Sequence, residues 1–166
     1  MLARGASGLF LGPWDLVKLS LPFLDGPVVL AEFPEHTGFE RFLGRVSEDL
    51  ALVGFPLDRE RGVLRAIELS SFRTRYEIDI DATPSPPASI NHEVWATVLR
   101  PLRQHSGREA SLLLVETATG RVIGREPLGC TGWYEGHVQG GEGSVFVTVR
   151  TGPGNHSVRA YDRGVG

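Results

Sequence analysis

Cys130 is the single cysteine of this 166-residue chain and the first residue to test for chemistry. It lies in Leu128-Gly129-Cys130-Thr131-Gly132-Trp133, with His137 further along the same stretch. A nucleophilic thiol needs a lowered pKa and a base within reach. The Gly-Cys-Thr-Gly run could expose the thiol on a turn, and His137 is the base it would use. No known nucleophile signature flanks the cysteine, and a small buried residue between strands accounts for the same pattern. A small enzyme or ligand-binding domain around Cys130 and His137, with His156 as a further candidate, is the alternative reading.

The five histidines are His36, His92, His105, His137 and His156, and none form an H-x-H or H-E-x-x-H pair. Those spacings put two imidazoles on one face, so no metal site and no cofactor are expected. Glu77, Asp79 and Asp81 share one parity of a strand-like stretch and suggest a second alternative, a Ca²⁺-dependent β-sandwich module. Their loop, residues 82–89, adds no carboxylate. Pairing with Arg73 and Arg75 on a solvated face explains the acids as well. Gly140-Gly141-Glu142-Gly143-Ser144 resembles an anion cradle, but it opens onto the strand-like Val145-Phe146-Val147-Thr148-Val149 and not onto a helix N-terminus. A hairpin turn is expected there. Trp133 and Tyr134 are adjacent, so on a strand they face opposite sides. With Cys130 and His137 they make the candidate binding set. No Lys or Arg lies between Gly129 and Gly143, which argues against nucleic acid.

These residues need elements to hold them. Residues 71–81 have the clearest pattern. Phe72, Thr74, Tyr76, Ile78 and Ile80 alternate with Arg73, Arg75, Glu77, Asp79 and Asp81, as on a strand with one face buried. Residues 1–14 look irregular. Residues 15–21 and 28–33 read as a pair of strands, and 63–69 as another. Thr37-Gly38-Phe39-Glu40 has capping-box spacing, and Phe39, Phe42, Leu43, Val46, Leu50 and Val53 recur at helical intervals. A helix is expected until Gly54 and Pro56 stop it. A second helix is expected over 90–102, capped by Ser89, although Val94 to Leu99 also suits a buried strand. Residues 82–89 contain Pro84, Pro86 and Pro87 and read as a linker, because proline cannot sit inside a sheet. Strands follow at 111–116, 122–125, 133–138, 145–150 and 157–162. The closing pattern, a Pro-Gly turn before His156 to Asp162, resembles the last hairpin of many bacterial β-sandwich modules. No internal repeat is visible.

Composition narrows the class. Hydrophobic residues are 41% and charged residues 22%, values usual for a globular domain. The net charge of −3 supplies no field to recruit nucleic acid or an anionic membrane. Lone Cys130 excludes an intramolecular disulfide. No apolar run reaches signal or membrane-span length, so a cytoplasmic setting is expected; the resemblance of the closing hairpin and 16 Arg against one Lys suit a bacterial chain from a GC-rich genome. The expected fold is α+β and β-rich: an antiparallel sheet or sandwich with one or two helices. The expected organisation is one domain over 1–166, or a subdivision into 1–81 and 90–166 across the Pro-rich segment 82–89. No catalytic constellation rises above background. The expected function is therefore a non-enzymatic protein–protein interaction module or assembly component, with a protein partner or self-association and neither nucleic acid nor membrane.

Overall fold

A computed structural model describes residues 2–4, 7–11, 15–20, 28–32, 41–57, 61–101, 109–129, 137–141, 144–152 and 155–162. Among them there is no helix, and none that could cross a membrane. The α+β expectation is therefore overturned: the described chain is all-β, built from four antiparallel sheets. It divides into two compact units, Met1–Ile80 and Asp81–Gly166.

The first unit holds two four-stranded meanders. One runs β1 (Leu2–Arg4), β2 (Ser7–Leu11), β3 (Asp15–Ser20) and β4 (Val28–Glu32). The other runs β5 (Phe42–Arg45), β6 (Leu50–Pro56), β7 (Gly62–Glu68) and β8 (Thr74–Ile80). In each, spatial order equals chain order, so each strand pairs with the next in the chain. Leu9 and Leu16 of the first sheet share a core with Ala51, Val53, Val63 and Ile67 of the second. Leu50, Leu52, Leu64 and Ala66 lie on the other parity of β6 and β7 and are also buried. The second sheet is thus covered on both faces.

The second unit repeats the scheme. Its larger sheet contains β9 (Ala82–Pro84), β10 (Ala88–Ser89), β11 (Val94–Pro101), β12 (Ser111–Glu116) and β13 (Val122–Pro127). Its smaller sheet contains β14 (His137–Gly141), β15 (Ser144–Gly152) and β16 (Asn155–Asp162), in that order. Val94, Ala96, Val98 and Leu112 share a core with Val145 and Val147. Trp95, Thr97, Leu99, Leu113 and Val115 occupy the opposite parity and are buried too.

The departures from the sequence reading have definite causes. Residues 42–53, expected in a helix, form β5, a bend at 46–49 and the start of β6. The apolar residues fit a 3.6 period, but Phe42 and Leu43 pair with Gly54 and Val53 across a hairpin. The capping box at 37–40 lies outside the described residues. The second expected helix is β11. Its lead-in is an Asx turn at Asn91, whose side-chain oxygen accepts the Glu93 and Val94 amides at 2.8 and 2.9 Å. A run buried on both faces loses its alternation, so periodicity cannot separate strand from helix there. Residues 2–4 and 7–11, read as irregular, are strands too short to show a period.

The Pro-rich segment is no linker but an interrupted edge strand. β9 and β10 both pair with β11, and the break between them is stitched by Ser85. The Ser85 amide donates to the Val98 carbonyl at 2.8 Å, and its hydroxyl accepts the Val98 amide at 3.1 Å. Thr97 Oγ1 donates to the Ser85 carbonyl at 2.6 Å. Pro86 and Pro87 fall where the ladder is already broken, which is where an edge tolerates them. Ser85→Ala should cost about 1–3 kcal/mol, because it removes the hydroxyl that the buried Val98 amide uses. Urea unfolding checks this, and an unchanged midpoint would refute the stitching role.

The 71–81 stretch also needs revising. Tyr76, Ile78 and Ile80 pair with Ala66, Leu64 and Gly62, as one face should. The register slips between Ala66 and Ile67, so Thr74 pairs with Ile67 on the opposite face. Phe72, at φ 55°, packs against the first-unit core on that same side. One extra residue reverses which face follows. Lys18 lies 5.0 Å from the Phe72 ring centroid and adds a cation–π contact to this strained residue.

Two of the sheets match in register and in turn bonding, although no repeat is visible in the sequence. The pairs Leu50–Glu68, Leu52–Ala66 and Gly54–Leu64 match Val94–Glu116, Ala96–Leu114 and Val98–Leu112. The bulge at Ala66/Ile67 recurs at Leu114/Val115. Val46 and Ser47 amides donate to the Leu50 carbonyl at 2.9 and 3.3 Å; Ile90 and Asn91 do the same to Val94 at the same distances. The turns match as well. The Phe72 amide donates to Glu68, and the Gly120 amide to Glu116, each from a left-handed residue.

Candidate functional site

The candidate set of Cys130, His137, Trp133 and Tyr134 divides against the described residues. Cys130, Trp133 and Tyr134 lie outside them. His137 opens β14, opposite Thr148 of β15, and His156 lies in β16 opposite Arg150. The expected strand at 133–138 is described only from His137, and Gly140 and Gly141, read as hairpin turn, are paired strand residues. His92 is exposed in the bend before β11.

Among the described residues, no three His, Cys, Asp or Glu side chains converge as a metal set. Two of the three acids of the Ca²⁺ reading, Glu77 and Asp81, have other engagements. Arg65 Nε donates to Glu77 across β7 and β8. Asp81 lies 3.8 Å from Arg125. Glu68 and Glu116, at the two matching turns, are held below the usual carboxylate range. For Glu68 the main cause is the Ser71 hydroxyl, then Arg75; for Glu116 it is the Thr119 hydroxyl, then Arg121. Each hydroxyl also accepts an amide, Arg73 at 3.3 Å and Arg121 at 3.1 Å. The two carboxylates are turn locks: among the described residues, the hydrogen bonds that they accept come from their own hairpin or its adjoining strands.

The feature without such an internal explanation is the sheet β14–β15–β16. Val145 and Val147 are buried in the core of their unit. The alternate residues of β15 point the other way, and Phe146 is 43% exposed. Gln139 and Ala160 lie opposite Phe146, and Val158 lies opposite Thr148. Gln139 and Ala160 are exposed, and Val158 is 68% exposed. An aromatic and a β-branched residue therefore lie bare on a sheet whose reverse side is core. Among the described residues β16 is also an edge, its eight residues paired only to β15. It carries no Pro or Lys, the usual protections of an edge strand. Its Arg159 is turned inward, donating from Nη1 to the Leu128 carbonyl. That contact fastens β16.

Phe146 and Val158 were missed as site residues. Their signal was present: Phe146 sits on the parity of Thr148 and Arg150, where a one-sided sheet would carry polar residues. Val28 and Val29 of edge strand β4 are half exposed as well, but neighbours on a strand face opposite ways and make no joint surface.

No protein-family model matches this chain, and no curated protein matches it. Among solved structures, it is similar to a chain in the S. cerevisiae assembly of dbp5 bound to nup159, gle1, ip6 and adp. The identity is 8% and the TM-score 0.38, over 96% of this chain and 58% of that one. The chain spans less than two thirds of that protein chain, and a likeness at this score carries no argument about fold or function.

Proposed function

We propose that the chain is a non-enzymatic, cytoplasmic protein-interaction module whose docking surface is the outer side of β14–β15–β16. One observation carries the reading: Phe146 and Val158 stand exposed on a sheet whose other face is core. Burying such residues contributes roughly 25 cal/mol for each Å² of apolar surface removed from water. The free edge of β16 adds a row of backbone donors and acceptors suited to strand addition.

Affinity capture from the native host, with wild-type and Val158→Lys chains as matched baits, tests it. Val158 is solvated enough for the lysine to leave the melting temperature unchanged. The expected result is a stoichiometric protein, of this or another sequence, held by wild type and lost by the variant. Equal capture by both baits would remove this surface from consideration.

A further inference from the structure

The two matching turns differ at the residue that takes the left-handed conformation. In both, the carbonyl of the lock glutamate accepts that residue's amide: Phe72 on Glu68 at 2.7 Å, and Gly120 on Glu116 at 2.9 Å. Gly120, at φ 76°, adopts the conformation freely. Phe72, at φ 55°, is strained, because a Cβ crowds the following carbonyl there. A bulky residue stays in this region only where its surroundings hold it. We propose that Glu68 and Ser71 form an acid-sensitive latch, which holds Phe72 in its strained conformation and its ring on the core of the first unit until Glu68 takes up a proton.

The restraints on Phe72 can be named. Ser71 Oγ donates to Glu68 Oε2 at 2.9 Å and accepts the Arg73 amide at 3.3 Å. The Glu68 amide donates to the Arg73 carbonyl at 2.9 Å. Arg75 Nε donates to Glu68 Oε1 at 3.0 Å. Glu68 is thus bonded to the residues on both sides of Phe72. The ring packs against the buried cluster that contains Leu9, Leu16 and Ile67, with Lys18 5.0 Å from its centroid. Its burial offsets the backbone strain only while the turn aims it inward.

The charged groups that face Glu68 are Arg75 of β8 and Asp49 in the bend before β6. Asp49 accepts the Ser70 amide at 3.1 Å and the Ser70 hydroxyl at 3.3 Å. Lys18 faces the ring and not the carboxylate. The Ser71 hydroxyl, then Arg75, hold the Glu68 carboxyl below its ordinary value of 4.5, against the opposing charge of Asp49. The latch is therefore at full strength above pH 4.5 and weakens as pH falls through the lower value of the folded chain. A protonated Glu68 loses the ion pair with Arg75 and the charge that draws the Ser71 hydroxyl. Phe72 then relaxes to negative φ and its ring leaves the core. Protonation of Glu116 loosens a turn that glycine makes without strain, and it displaces no ring.

NMR of the full chain tests this, with Glu68→Gln and Glu116→Gln as matched mimics of the protonated acids. At neutral pH, Glu68→Gln should raise hydrogen exchange at the Phe72 amide by at least about tenfold and move the Phe72 ring resonances toward unfolded-chain values. Glu116→Gln should raise exchange at Gly120 and leave the ring resonances unchanged. In the wild type, those resonances should move the same way as pH falls from about 6 to about 3, and in Glu68→Gln they should not respond. Phe72→Gly removes the strain, so adding Glu68→Gln to it should raise exchange at residue 72 by less than about threefold. Ser71→Ala against Thr119→Ala supplies the same contrast if Glu68→Gln does not fold. Ring resonances indifferent to the loss of the latch, or an equal rise in exchange with Phe or Gly at position 72, overturn the proposal.

Discussion

Gly140→Ala is expected to destabilise the second unit by at least about 3 kcal/mol, above the usual cost of overpacking. The reason lies in where β14 runs. A methyl group on Gly140 would overlap the Ser89 carbonyl oxygen and lie 2.6 Å from the Ser89 carbonyl carbon. These are backbone atoms of β10, tied to β11 through the Ser89–Trp95 pair. They cannot rotate aside as a side chain can. To admit the methyl, β14 must move away from β10, and the core joining Ile90 and Val94 to Val145 and Val147 must open. Gly124→Ala is the matched control. Its new methyl would meet Leu114 Cδ1 at 3.2 Å, the far end of a flexible side chain, and should cost no more than about 1 kcal/mol. Urea denaturation of both variants, with hydrogen exchange at β10 and β14, measures the contrast. An unchanged midpoint for Gly140→Ala would mean that the two strands do not approach so closely.

Trp95→Ala should cost about 3–5 kcal/mol, the range for removing a buried large side chain. Trp95 is fully buried in β11, between Ser89 and Val115 in register. In the matching sheet its place is taken by Ala51, which lies between Arg45 and Ile67. The two sheets thus fill equivalent positions with very different volumes, and the surrounding residues in each are fitted to what is there. A similar exchange occurs at the outer strand pair, where Ala66 and Tyr76 in one sheet match Leu114 and Gly124 in the other. Trp95→Phe should lose less than Trp95→Ala, since the ring still fills most of the site. Thermal unfolding followed by circular dichroism reads both. A loss below about 1 kcal/mol for the alanine variant would show that the site collapses around the missing ring.

These exchanges explain why the match was hidden in the sequence. Matched positions keep register but not residue type: Leu52 and Ala96, Val53 and Thr97, Arg65 and Leu113. What survives is a short set of polar locks. Glu68, Ser71 and Arg73 recur as Glu116, Thr119 and Arg121, each hydroxyl bonding to its glutamate and accepting the amide of its arginine. Three scattered residues on a hairpin are too few to stand out in a chain with 16 arginines. The candidate surface was similarly half legible. The alternation of Val145, Val147 and Val149 with Phe146, Thr148 and Arg150 announced the strand, but not that the second face would be left uncovered.

The sequence by itself determined the pieces whose signal is local. The strands at 111–116 and 157–162 and the alternation over Tyr76, Ile78 and Ile80 all follow from neighbouring residues. Tertiary structure decided the rest. It made residues 42–45 and 94–101 strands, because pairing with β6 in the first case and with β9, β10 and β12 in the second outweighed a helical period. It turned residues 82–89 from a linker into an edge, because Ser85 and Thr97 could bridge the gap that the prolines leave. It also left Phe146 and Val158 bare, since coverage of a sheet face depends on which other sheet arrives there, and no spacing within one strand encodes that.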